Sequence, residues 1–192
     1  MSSQLSFSDM ERPVTDRLFY ALLPDVESAG QIVELARRLR PDHHPKGALI
    51  SSERLHVTLV FLGDFAGLPK GIVSSALIAG ERLMGTPFEV TFDRLQKFGH
   101  GKQAVVLRGE DGAAGVNEFR RRLVEATLYQ GLKPLGPAGF TAHITLMYDN
   151  GPIKEEQVAP ISWSAKEFVL VRSLIGKSRY EILGRWPLQS RT

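Results

Sequence analysis

Apolar positions along the chain follow two spacings, and together they predict ten elements. "RLFYALLPD" (Arg17–Asp25) is a compact apolar run closed by Pro24-Asp25, which predicts a strand and a turn. Val26–Arg40 then sets Ile32, Val33, Leu35, Ala36 and Leu39 at helical intervals, and "PDHHPKG" ends it. "RLHVTLVFLG" (Arg54–Gly63) returns to a strand pattern, closed by Gly63. Ile72, Val73, Ala76, Leu77, Ala79 and Leu83 predict a second helix between Pro69 and Met84. "PFEVTFDRLQKFG" (Pro87–Gly99) alternates, and "QAVVLRG" (Gln103–Gly109) is its hairpin partner through "GHGK". "GVNEFRRRLVEATLYQGL" places Val116, Phe119, Leu123 and Leu128 near one helical face, with Arg120–Arg122 mostly outside. Three strands close the chain: "FTAHITLMY", "SAKEFVLVRSL" and "SRYEILGRWPL", the last two joined by "IGK".

The order is strand–helix–strand–helix–strand–strand–helix–strand–strand–strand, a coarse duplication in which two strands of related sequence each follow a helix. Residues 1–16 are polar and predict a flexible N-terminal segment, leaving 17–192 as one domain. "GLKPLGPAG" could join two lobes within it.

Composition narrows the setting. The 192 residues are 43% hydrophobic and 23% charged, which is ordinary for a globular protein. A net charge of +3 suits an anionic ligand but is too small for duplex DNA binding. The absence of cysteine removes disulfides and thiolate metal sites and points to a reducing cytoplasm. The polar N-terminus does not read as a signal peptide, and no run reaches the roughly 20 apolar residues of a membrane span.

The candidate chemistry sits in the two related strands. "LHVTLVFLG" holds His56 and Thr58; "TAHITLMYD" holds His143 and Thr145. Residues i and i+2 of a strand share a face, so each strand presents an imidazole and a hydroxyl, about 7 Å apart along the chain. Val57 and Ile144 point the other way. A hydroxyl can donate to a phosphate oxygen, and an imidazole can take or give a proton near neutral pH. Two such strands side by side would grip one phosphate, with a base on the attacking side and an acid on the leaving side. One His-x-Thr carries little information, because a histidine bonded to backbone is commoner than a catalytic one. Its repetition in matching strand contexts carries much more. No Asp or Glu stands at ligand spacing on either strand, which argues against a zinc site and for chemistry without metal or cofactor. His43 and His44 lie in a Pro-flanked loop and His100 at a hairpin tip, both read as exposed.

On these motifs the chain resembles the two-histidine (2H) phosphoesterase superfamily, specifically the RNA 2′,3′-cyclic phosphodiesterases, also called 2′-5′ RNA ligases. "RLFYALLPD", the two His-x-Thr strands and "FVLVRSLIGKSRYEILGRWPL" carry the likeness, from about Arg17 to Leu188. The resemblance implies an α+β bilobal fold: two antiparallel sheets with flanking helices, related by a pseudo-two-fold axis around a central cleft. It implies hydrolysis of a 2′,3′-cyclic phosphate to a 2′-phosphomonoester, on RNA ends or small cyclic nucleotides; apart from the resemblance, a cytoplasmic monomer is expected. It assigns His143 as base, His56 as acid, and Thr58 and Thr145 as phosphate-binding residues. The reverse 2′-5′ ligation is a branch of the same chemistry. A module that binds RNA or phosphate ends without turnover is the alternative from another class.

One position departs from that pattern. Many members of the family carry an arginine where this chain has Tyr148. Tyr148 can only donate a hydroxyl or stack, so Arg17 or Lys102 is expected to supply the cation. Phe19 is expected on the cleft side, where its ring could stack on a base. Phe98, Trp163 and Trp186 read as packing residues.

Overall fold

A computed structural model describes residues 13–43, 48–98, 103–135, 139–149 and 154–189. Eight strands make one antiparallel sheet: β1 (Asp16–Leu22), β2 (Val57–Phe65), β3 (Phe88–Phe98), β4 (Ala104–Arg108), β5 (His143–Tyr148), β6 (Glu156–Ala165), β7 (Glu167–Leu174) and β8 (Arg179–Pro187). Their spatial order is β6-β3-β4-β5-β2-β1-β7-β8. Three helices accompany them: α1 (Val26–His43), α2 (Lys70–Arg82) and α3 (Ala114–Tyr129).

The strand pattern explains why the sheet has one covered face and one open face. Along β1, Leu18, Tyr20 and Leu22 enter the main core, while Phe19 and Ala21 point away from it. Along β2 and β5, Val57, Leu59, Ile144 and Leu146 do the same. Against that face pack Ile32, Ala36 and Leu39 of α1, Ala76 of α2, and Val116, Phe119 and Leu123 of α3. The opposite face carries a small cluster of Phe19, Ala21, Val169 and Val171, which contains no helix residue. Burying a Leu, Ile or Phe contributes about 1.5–3 kcal/mol, so the main core dominates the fold and leaves the open face free to hold polar groups.

One continuous sheet stands where the sequence suggests two. Its middle is thin: β2 and β5 share the single pair Val57↔Ile144. The segment before β2 extends the seam, with the Ile50 amide donating to the Leu146 carbonyl at 2.8 Å and Leu49 bridging Met147. The second His-x-Thr strand therefore lies directly beside the first.

Several element boundaries differ from the sequence reading: α1 runs on through Pro41 to His43, so His43 ends a helix instead of lying in a loop, and β2 begins at Val57, after Arg54. β6 was not anticipated, because Pro160 interrupts its pattern; it is an edge strand, where a missing backbone donor is tolerated. β2 continues past Gly63 to Phe65. Gly63 has φ +139° and a Cβ there would lie 2.8 Å from the Phe65 ring; the pairing with β1 shifts register beside it and the strand runs on. Asp16 belongs to β1, and the Thr15 amide donates to the Phe65 carbonyl, so the N-terminal segment joins the sheet earlier than expected. Trp163 packs edge-on to Phe92 and Trp186 stacks on Phe168, both as packing residues. Among the described residues no helix is long and apolar enough to cross a membrane.

Candidate active site

His56 follows a short 3-10 turn, Ser52–Arg54, and sits just before β2; His143 is the first residue of β5. Burial alternates identically around both. Leu55, Val57 and Leu59 are buried while His56 and Thr58 are partly open; Ala142, Ile144 and Leu146 are buried while His143 and Thr145 are partly open. All four side chains line one cleft of about 370 Å³ on the open face of the sheet.

The two imidazoles are held in the same way. His56 Nδ1 lies 2.8 Å from the Arg54 carbonyl, and His143 Nδ1 lies 2.6 Å from the Thr141 carbonyl, each two residues upstream. A carbonyl can only accept, so Nδ1–H is the donor in both rings. Nε2 is then the nitrogen that exchanges a proton.

Aromatic rings enclose both histidines unequally. Phe19 stacks on His56 with centroids 4.8 Å apart and an interplanar angle of 28°, and Tyr180 meets it edge-on at 5.5 Å. Phe98 meets His143 edge-on at 5.0 Å. Burial removes water from the charged imidazolium, and the His143 and Arg54 charges add repulsion; the Arg54 carbonyl opposes them, yet His56 falls from 6.5 to about 4. Burial also lowers His143, and the Thr141 carbonyl opposes it. Burial therefore keeps His56 neutral at pH 7.

The other sequence candidates fall in several places. Arg17 lines the cleft, but its guanidinium forms a bidentate pair with Asp64, at 2.7 and 2.8 Å, and lies over the Phe61 ring. Phe19 lines the cleft as expected, but it is only 3% exposed and its face is taken by His56, so it is not open to a base. Tyr148 lines the cleft and is exposed. Lys102, His44 and His100 lie outside the described residues. Phe98, expected as plain core, is half-buried against His143. Among the described residues no three His, Cys, Asp or Glu side chains gather where a metal could bind.

Sequence reasoning passed over Arg54, Phe61, Ser173 and Tyr180, which also line the cleft. Asp64, Arg17, Ser173 and Tyr180 form one row across β2, β1, β7 and β8. Such a row depends on strand order, which the sequence does not display. Arg54 did leave a signal, standing two residues before His56.

The comparisons agree with this geometry. The sequence profile of the 2′-5′ RNA ligase superfamily matches residues 24–174. The RNA 2′,3′-cyclic phosphodiesterase of Escherichia coli K12 is 29% identical over 182 residues, covering 90% of this chain and 96% of that protein. The crystal structure of E. coli LigT complexed with 3′-AMP superposes with a TM-score of 0.74 at 25% identity, over 92% of this chain and 99% of that one. The crystal structure of a Thermus thermophilus protein, TT0787, gives 0.73 at 25% identity, over 92% and 100%. With the profile spanning most of the chain and the His-x-Thr pairs meeting in one cleft, this chain belongs to the 2′-5′ RNA ligase superfamily, the 2H phosphoesterases.

Proposed function

We propose that the chain hydrolyses 2′,3′-cyclic phosphates, on RNA ends or small cyclic nucleotides, to 2′-phosphomonoesters. The observation that carries this reading is the meeting of two identically held imidazoles, each beside a threonine, in one cleft. The likeness to the E. coli RNA 2′,3′-cyclic phosphodiesterase and to LigT complexed with 3′-AMP supports the substrate class.

The chemistry follows from the positions. Thr58 and Thr145 donate to non-bridging phosphate oxygens. One histidine, neutral at Nε2, takes a proton from water as its oxygen attacks phosphorus. The other, protonated at Nε2, gives a proton to O3′ as the P–O3′ bond breaks. The 2′ ester bond is kept, and the pair ends with its proton transferred from one ring to the other. The family resemblance makes His56 the acid and His143 the base; burial lowers both rings and does not by itself choose between them. His56 must first be loaded, and the phosphate's negative charge does that. The matching burial and matching i−2 carbonyls support a pseudo-two-fold relation between the halves of the sheet. With a ribose 5′-hydroxyl in place of water, the same attack yields a 2′-5′ linkage; in dilute solution water prevails.

Turnover of a 2′,3′-cyclic nucleotide in excess chelator tests the reading. Wild type is expected to turn over, and His56→Ala or His143→Ala to lose roughly 10²–10⁴-fold, the scale of general acid–base catalysis. Thr58→Ala and Thr145→Ala keep the proton path and are expected to lose less. Binding without turnover would make the protein a phosphate-end binding module; turnover only with added divalent ion would make it a metallohydrolase.

A further inference from the structure

Two arginines line the cleft, and they differ in how they are partnered. Arg17 is neutralised: both of its outer contacts go to the Asp64 carboxylate, whose own pKa is held down by that pair. Arg54 forms no ion pair within 4 Å among the described residues; its charge is felt by the neighbouring Glu53 carboxylate, and its side chain hydrogen-bonds Tyr180. Its guanidinium lies 4.9 Å over the Tyr180 ring, and its buried Nε finds no hydrogen-bond acceptor. The neighbouring Glu53 carboxylate is turned to the Ser51 hydroxyl at 2.7 Å and is exposed. A buried guanidinium N–H without an acceptor costs free energy, so the fold holds Arg54 in a state that an incoming anion would relieve.

We propose that Arg54 is the cation that binds the substrate phosphate in this cleft, taking the place of the arginine that Tyr148 lacks. The inference rests on the reading of the cleft as a phosphodiesterase site. Geometry supports it in two ways. The Arg54 backbone carbonyl already fixes His56, so the side chain on the same residue is anchored beside the proton-transfer groups. Tyr180 holds the guanidinium over its ring at 4.9 Å and bonds it through its side chain, and a planar fork held in place suits phosphate oxygens. The arrangement also sets an electrostatic tension: the Arg54 charge disfavours protonated His56 in the empty cleft, and a bound phosphate cancels that repulsion as it arrives.

The experiment measures sulfate affinity and kcat/KM together for Arg54→Gln, Arg54→Lys, Arg17→Gln and the double variant Arg54→Gln/Tyr148→Arg, with melting temperatures as the check on folding. Sulfate binding needs no turnover, so it reads the anion site independently of the reaction. Arg54→Gln is expected to weaken sulfate and lower kcat/KM by about 10- to 100-fold, the scale of a lost hydrogen bond to a charged group. Arg54→Lys keeps the charge but loses the planar fork, and is expected to fall between wild type and Arg54→Gln. Tyr148 lines the same cleft, so an arginine there is expected to restore at least part of the loss. Removing the Arg54 charge is also expected to move the His56 limb of the pH profile upward, which a merely structural role would not do. Wild-type sulfate affinity and turnover in a folded Arg54→Gln, or a larger loss in Arg17→Gln, would overturn the assignment. If Arg54→Gln fails to fold, Arg54→Met is measured in its place, and wild-type sulfate affinity in that folded variant overturns the assignment as well. An Arg54-dependent sulfate site in a wild type that turns over no cyclic phosphate would sink the phosphodiesterase reading and leave the anion site standing.

Discussion

Anion binding is expected to draw a proton onto His56, and the size of the effect can be worked from the cleft. His56 sits near pKa 4 in the empty protein. Charging it at pH 7 is therefore about three pKa units uphill, roughly 4 kcal/mol. A single negative charge about 4 Å away, at an effective dielectric near 20, returns about 4 kcal/mol. For a monoanion the two nearly cancel, which puts the His56 pKa near 7; sulfate carries two negative charges, so with sulfate bound it is expected at about 7 or above. Between pH 7 and 5 the free form is then neutral and the bound form charged. Affinity should strengthen about tenfold for each unit of pH lowered, with close to one proton taken up in the middle of that window. Sulfate is the suitable probe because it stays fully ionised throughout. Calorimetry in two buffers of the same pH and different ionisation heat reads the proton count directly. His56→Asn keeps a donor for the Arg54 carbonyl but cannot be protonated, and should abolish most of the uptake; the remainder belongs to His143, whose pKa burial also lowers. No proton uptake near pH 6, or equal uptake in His56→Asn, would refute the reasoning.

The remaining predictions concern rate and packing. Because kcat/KM reports the free enzyme and both histidines are lowered by burial, its bell-shaped profile should peak below pH 6.5; the kcat profile should peak higher, since bound phosphate raises both groups. If His56 is the acid, a substrate with sulfur at the 3′ bridging position, whose thiolate leaves without a proton, should restore His56→Ala but not His143→Ala; the reverse pattern would exchange the two roles. In Gly80 of α2 an added Cβ would meet the Trp186 ring at 2.3 Å, closer than any real contact, so Gly80→Ala should lower stability by about 1–3 kcal/mol with the site residues untouched, as read by chemical denaturation.

Local chemistry was legible in the sequence where a short period sufficed. Alternation around His56 and His143 placed each with its threonine on one face and Val57 and Ile144 in the core, because strand parity depends only on neighbours. Parity set Phe19 and Tyr20 on opposite faces, and the family resemblance put Phe19 on the cleft side. Parity could not show that His56 would cover the ring, since that contact joins β1 to the start of β2 through space. Strand order was illegible for the same reason. One pair, Val57↔Ile144, turns two expected sheets into one, and nothing local to either residue encodes it. Arg17 looked like the available cation until β2 brought Asp64 opposite it. Arg54 looked like an ordinary strand residue until the 3-10 turn set its carbonyl on His56 and its side chain over Tyr180.

The central claim is that the paired histidines direct water at one phosphorus so that the bond to O3′ is the one that breaks. Phosphorus NMR of the product formed from a 2′,3′-cyclic nucleotide, in chelator, tests it most directly. The account predicts a single 2′-phosphomonoester from wild type and almost none from His56→Ala or His143→Ala over the same time. A 3′-phosphomonoester, a mixture of the two, or unchanged product from either folded alanine variant would contradict it.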